Sequence, residues 1–374
     1  MTFCFVFGLE PWLLPPAVEM MEVLRSKGHN VKVIYSEYLG KKPAEKDFDN
    51  ANTFTIIEKQ QGYKRFFIHL LLADTIKKIC RNTNIDVLIA CDIISLQSLA
   101  SANIRKTKKG YWGFEIVNKI VKFKLSLGIY RAFVFPNWIN KLDFFLAPSQ
   151  SRIEKILDRC KQDIPHRVIF NCRRLEQNII PDRPIANTEY KLVYAGRISD
   201  TQYITEIIDS IALIDETIDI RLQLAGPCDE SYYSYLKNRI DNNPVLVHRV
   251  SLVGRLSLED VYVLIKSADI GFVFYNEMMG VEAKDPAPNK LSDYIAGGIW
   301  SIGGAQPSMK YWLEDRGAGI SITDINKENI AYAIKTIIYD DKFKNKSVLY
   351  ELYEKELNMD IQSDKLIEVV SNLK

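Results

Sequence analysis

The stretch Asp285-Pro286-Ala287-Pro288-Asn289-Lys290-Leu291-Ser292-Asp293-Tyr294-Ile295-Ala296-Gly297-Gly298 decides how this chain is read. Ala268 to Tyr275, just upstream, is an apolar and aromatic run that reads as a buried strand. About thirteen residues without periodicity separate the two, which is long for a strand-to-helix connection; loops of that length are usually functional or disordered. Asn289 is a good N-cap for a short helix, and Gly297 and Gly298 can end it in the left-handed conformation. Leu291, Tyr294 and Ile295 fall on one face at helical spacing and should point into a core. Asn289, Lys290 and Asp293 share another face near the helix N-terminus, where free backbone N–H groups favour an anion. Asp285 lies at the end of the loop. The plain alternative is a surface helix carrying a Lys290–Asp293 salt pair.

The same residues carry a resemblance. Asp285 and Asp293 have seven residues between them, and the string from Pro288 to Gly298 is similar to the P-N-K-L-x-[DE]-Y-x-A-x-G form found in retaining glycosyltransferases of the GT-B fold, especially family 4. Asp replaces Glu at both acidic positions. The resemblance implies that the first acid, Asp285, touches a donor sugar, and that the second, Asp293, holds the ribose hydroxyls. It further implies that the N–H groups between them, around Asn289, Lys290 and Leu291, hold a diphosphate.

The rest of the chain is compatible with that fold. Its 374 residues make two domains the natural expectation, and 47% hydrophobic content is ample for packed cores. A net charge of +2 gives no global reason to expect nucleic acid. The six cysteines are scattered with no CxxC pair, implying reduced thiols and a cytoplasmic protein rather than a disulfide frame or a zinc site. The N-terminal Thr2 to Phe7 reads as a first strand, not a signal peptide, and no run of eighteen apolar residues occurs. Strand-like and helix-like segments alternate twice along the chain, which implies two parallel sheets. The expected architecture is α/β, GT-B: two doubly wound Rossmann-like domains facing a central cleft. The expected domains are an acceptor-binding half, 1–183, a nucleotide-sugar-binding half, 184–355, and a C-terminal helix, 356–374, that in this family crosses back to the first domain. Arg173 to Tyr190, with Pro181 and Pro184, reads as the linker. Ser151-Arg152-Ile153-Glu154 matches a capping box.

A leaving nucleoside diphosphate demands stabilisation of negative charge, which cations, helix N-termini and backbone N–H groups supply. Arg197, in Gly196-Arg197-Ile198 after the strand Lys191 to Ala195, matches the family's phosphate-binding arginine. The family usually adds a lysine about five residues on. Here that neighbourhood is Ser199-Asp200-Thr201-Gln202, and Lys290 is the substitute cation. Asp285, Arg197 and Lys290 are thus the expected catalytic residues, and Gly196, Arg197, Asn289, Lys290, Leu291 and Asp293 the donor-binding set. No metal and no cofactor are expected, GT-B enzymes resembling one another in needing none; the donor is a nucleotide sugar, UDP- or GDP-linked. The first loop has only Gly8 where the family often has a glycine pair. Glu10 there and Glu115 further on are the acceptor-side candidates, each with a solvated or structural glutamate as the alternative. Arg105 to Lys141 is basic and aromatic, fitting either a membrane surface or a solvated face over core aromatics. The expected partners are a nucleotide sugar and a glycan or lipid-linked glycan. The expected location is the cytoplasm, peripherally on the inner face of the plasma membrane. Two other readings stay open: a GT-B nucleotide-sugar 2-epimerase, and a non-catalytic nucleotide-sugar-binding scaffold.

Overall fold

The structure, a computed structural model, describes residues 1–36, 53–55, 68–114, 135–160, 163–174, 189–276, 284, 286–287 and 289–373, with the backbone alone for 53–55. The sequence-derived candidates Asp285 and Glu115 lie outside the described residues. The chain divides into two compact units, Met1–Phe170 with Met359–Lys374, and Asn171–Asn358.

In the first unit the order is β1 (Thr2–Phe7), α1 (Pro15–Ser26), β2 (Asn30–Tyr35), β3 (Thr53–Thr55), α2 (Ile68–Asn82), β4 (Val87–Ala90), α3 (Ile93–Ala102), β5 (Lys108–Trp112), β6 (Phe144–Ala147), α4 (Gln150–Leu157) and β7 (His166–Val168). These strands form one sheet in the order β3-β2-β1-β4-β5-β6-β7, parallel throughout. Strands such as Val87–Ala90 and Phe144–Ala147 are apolar at every position because both sheet faces are covered. Asp92 caps α3 and also accepts the Gly8 N–H at 2.5 Å, tying the end of β1 to the helix after β4. The cap of α4 is Ser149, whose hydroxyl accepts from Arg152 N, so the expected capping box at Ser151 does not form: Ser151 already lies inside the helix.

The second unit runs β8 (Glu189–Ala195), α5 (Ile204–Ile211), β9 (Asp219–Ala225), α6 (Glu230–Asp241), α7 (Leu246–Arg249), β10 (Val250–Gly254), α8 (Leu258–Lys266), β11 (Ile270–Val273), α9 (Asn289–Ala296), β12 (Trp300–Gly304), α10 (Pro307–Lys310), β13 (Gly319–Ile322), α11 (Lys327–Tyr339) and α12 (Ser347–Lys355). Its sheet is also parallel, in the order β10-β9-β8-β11-β12-β13. The order reverses between β8 and β11, and the carboxyl ends of strands at such a reversal are where open α/β sheets bind ligands.

The chain leaves the first unit at Phe170, ahead of the expected 183/184, because Asn171 is already built into the second. Its side-chain amide donates to Ala287 O at 3.0 Å, and its carbonyl accepts from Ser292 Oγ at 2.6 Å. It returns after Asn358, behind the expected 355/356, as α13 (Met359–Ser371), which packs on α1. Lys27 Nζ donates to Asp360 O at 2.9 Å, and Lys108 Nζ caps the far end at Val370 O and Leu373 O.

Most of the basic, aromatic stretch falls outside the described residues. In the described part, Tyr111, Trp112, Phe135 and Trp138 are core residues, and Lys108 and Lys141 donate to backbone carbonyls at helix ends. These aromatics fill the first unit's interior and form no exposed face. Among the described residues no helix is long and apolar enough to cross a membrane.

Candidate functional site

Helix α9 covers the reversal point. Leu291, Tyr294 and Ile295 are buried, as their spacing predicts. Tyr294 lies across β11 at Gly271, where any Cβ would sit 2.5 Å from the ring, and its hydroxyl accepts the Ala195 N–H at 3.0 Å. One phenol therefore pins α9 to the end of β8, directly before Gly196 and Arg197. The helix ends in a paired cap: Gly298 N donates to Ile295 O and Ile299 N to Tyr294 O, with Gly298 at φ +67°. Asn289 is the first helical residue rather than the cap.

The polar face is not solvated, so the surface-helix alternative fails. Lys290 and Asp293 have different partners. Lys290 Nζ donates to Gln202 Oε1 at 2.9 Å and to the Tyr194 hydroxyl at 3.1 Å. It lies 4.6 Å from the Tyr194 ring centroid and 5.3 Å from that of Tyr275, within the range of cation–π attraction. A Cβ built on Gly196 would be 3.2 Å from it. Tyr194 in turn donates to Arg197 O at 2.7 Å. Burial pulls the Lys290 ammonium down from 10.5 to about 7. Burial likewise pushes the Tyr194 and Tyr294 phenols up, so both stay neutral.

Arg197 follows β8 on an exposed loop, with Nη2 3.2 Å from Asp229 Oδ2. The two loops that carry them run side by side: Gly196 N donates to Ala225 O and Ile198 N to Pro227 O, each at 2.9 Å. Asp293 is buried and pairs with Arg173, Nε to Oδ1 at 3.1 Å.

The structure therefore brings Gly196, Arg197, Asn289, Lys290, Leu291 and Asp293 into the second unit, on β8, its following loop and α9. Glu10 belongs to the first unit, fully buried before a short 3-10 turn at Pro11–Leu13 rather than at an open loop tip. Tyr194, Gln202, Tyr275 and Arg173 were not singled out by sequence reasoning. Only Gln202 had a signal: it occupies the position, five after Arg197, where the resembled family carries lysine. Among the described residues no group of three or more His, Cys, Asp or Glu side chains could hold a metal ion.

Two parallel, doubly wound sheets joined in this order give the chain the GT-B glycosyltransferase fold. It shares that fold with HepE from Anabaena, solved in complex with UDP, at a TM-score of 0.74 and 15% identity over 100% of both chains; a further structure of HepE holds UDP-glucose. It is also similar to the lipopolysaccharide outer core galactosyltransferase WaaB, at a TM-score of 0.68 and 14% identity over 99% of both chains. A third similar structure is UDP-GlcNAc 2-epimerase from Methanocaldococcus jannaschii, at 0.60 and 10% over 99% of both chains. No curated protein matches the chain in sequence. Residues 176–350, most of the second unit, match the family model of glycosyl transferases group 1.

Proposed function

We propose that this protein transfers a sugar from a nucleoside-diphosphate donor, UDP- or GDP-linked, to a glycan or lipid-linked glycan in cell-surface polysaccharide synthesis, with retention. The observation that carries the reading is the position of Lys290. Its ammonium sits on Gln202, beside Gly196, so this chain supplies from α9 the cation that the resembled family supplies from the loop. HepE, bound to UDP and UDP-glucose, and WaaB, acting in lipopolysaccharide, support the donor and acceptor classes. Retention rests on the family resemblance.

In the reaction, the donor's C1–O bond breaks and its electron pair goes to the diphosphate. The acceptor oxygen forms the new bond at C1, and its proton passes to the departing diphosphate. Charge grows on the leaving oxygen, so Lys290 and Arg197 should matter more to turnover than to ground-state binding. Arg197 must turn from Asp229 to the diphosphate, at little cost because the pair is exposed. Asp285 acts at the sugar and Asp293 at the ribose; Glu115 is the acceptor-side residue, since Glu10 is fully buried. The cations do the work of a metal. Peripheral attachment at the inner face of the plasma membrane belongs to the same reading, with Arg105 and Lys106 as exposed cations of the described part.

The test is donor turnover by wild type, Lys290→Ala and Arg197→Ala, with and without EDTA. Each substitution should cost on the order of a hundredfold in turnover, by analogy with losing one oxyanion donor, and chelation should cost nothing. Full activity in Lys290→Ala, or a strict divalent-ion requirement, sinks the reading. The 2-epimerase reading would instead give a new nucleotide sugar from UDP-sugar alone, and the scaffold reading predicts no donor hydrolysis at all.

A further inference from the structure

The segment that opens the second unit, Asn171 to Arg173, lies outside the matched family region, yet it contacts the donor stretch at three points. The Asn171 amide donates to Ala287 O at 3.0 Å, and the Asn171 carbonyl accepts from Ser292 Oγ at 2.6 Å. Arg173 Nε then meets Asp293 Oδ1 at 3.1 Å, with the two side chains 13% and 11% exposed. Arg173 is itself held: its guanidinium lies 5.0 Å from the Tyr262 ring centroid on α8, and its backbone bridges to Asn358.

A carboxylate this enclosed is costly unless it is paired and hydrogen-bonded. A planar guanidinium held against a ring, on an anchored backbone, sets the charge and also the orientation of the carboxylate it meets. A carboxylate that must accept from a pair of vicinal hydroxyls needs both properties before the ligand arrives, since alignment made in advance costs nothing on binding.

We propose that Arg173 is a positioning residue for the donor's ribose: it acts through Asp293, fixing the carboxylate for the two ribose hydroxyls. This rests on the reading that Asp293 holds the ribose. Arg173 touches no reacting atom and would not be found by motif, because it precedes the matched region.

The test compares calorimetric affinities for UDP and GDP with those for their 2′,3′-dideoxy counterparts. The ratio of each pair isolates the hydroxyls, and a merely structural defect weakens both members alike. Wild type should prefer the nucleotide with hydroxyls by about tenfold or more, the scale of hydrogen bonds to a charged group. In Arg173→Gln the ratio should fall to within about threefold, close to that of Asp293→Asn, while Arg173→Lys, which keeps the charge without the planar edge, should be intermediate. A wild-type ratio in Arg173→Gln alongside a collapsed ratio in Asp293→Asn overturns the proposal and leaves the ribose reading standing. No preference in wild type, or an undiminished one in Asp293→Asn, overturns the ribose reading and this proposal with it. If Arg173→Gln does not fold, Arg173→Lys decides: an unchanged ratio there refutes the positioning role.

Discussion

Raising the pH from 6 to 8 should weaken UDP binding about tenfold through Lys290 alone, one decade per unit once the pH passes the group's pKa. The perturbation follows from the surroundings of Nζ: two aromatic rings, a phenol and an amide oxygen, with no carboxylate among its described partners. Desolvation without a counter-charge brings its pKa to about 7. A diphosphate selects the ammonium form, so below pH 7 the cation is ready, and above it each binding event must first recover a proton. The sign on stability is opposite. Between about pH 7 and 10.5 the unfolded chain keeps a proton that the folded chain has released, so the fold gains stability as pH rises through that window. Below pH 7 the folded state carries the full penalty, at most about 5 kcal/mol for a shift of this size. Lys290→Met should therefore melt no lower than wild type at pH 6 while binding UDP more weakly. The assay is calorimetry with UDP at pH 6, 7 and 8 on wild type, Lys290→Ala and Lys290→Arg. The UDP phosphate also ionises near pH 6, but that contribution is common to all three proteins. Lys290→Arg stays charged and should lose the pH dependence. An identical pH slope in wild type and Lys290→Ala would refute the reasoning.

Asp293→Asn should weaken UDP binding by about ten- to a hundredfold, since hydrogen bonds to a charged group are worth roughly 1.5–3 kcal/mol; unchanged affinity would remove Asp293 from the ribose. Its melting temperature should fall too, because Arg173 loses its carboxylate in a largely buried site. Asp285→Ala should lower donor turnover more than it weakens binding of the bare diphosphate, and the reverse pattern, measured by steady-state kinetics beside calorimetry, would mean its role is misassigned. Gly271→Ala should destabilise the second unit by about 1–3 kcal/mol, since the added methyl meets the Tyr294 ring; denaturant unfolding unchanged from wild type would show that α9 is not pinned there. Anionic vesicles should bind the protein at low salt and release it as salt rises, and no binding at low salt would remove the membrane from the reading.

Local pattern determined a good deal of this protein. The apolar face of α9 was legible in Leu291, Tyr294 and Ile295 because helical spacing alone puts them on one side. The end of that helix was legible in its glycine pair, of which Gly298 takes the left-handed turn. The parallel sheets were legible in the alternation of strand-like and helix-like segments, because parallel neighbours need a crossover between them, usually a helix. What the sequence could not determine was partnership. At three residues' separation Lys290 and Asp293 look like a surface pair, but the fold turns one toward Tyr194 and Gln202 and the other toward Arg173. Neither choice is encoded in a local window, because each depends on which strand ends the sheet places beside α9. The same holds for Glu10, polar and near a loop in sequence, yet buried in the first unit. A periodic pattern says which face is hidden from water, whereas the identity of the groups on the far side of a buried contact is set only when distant segments close on one another.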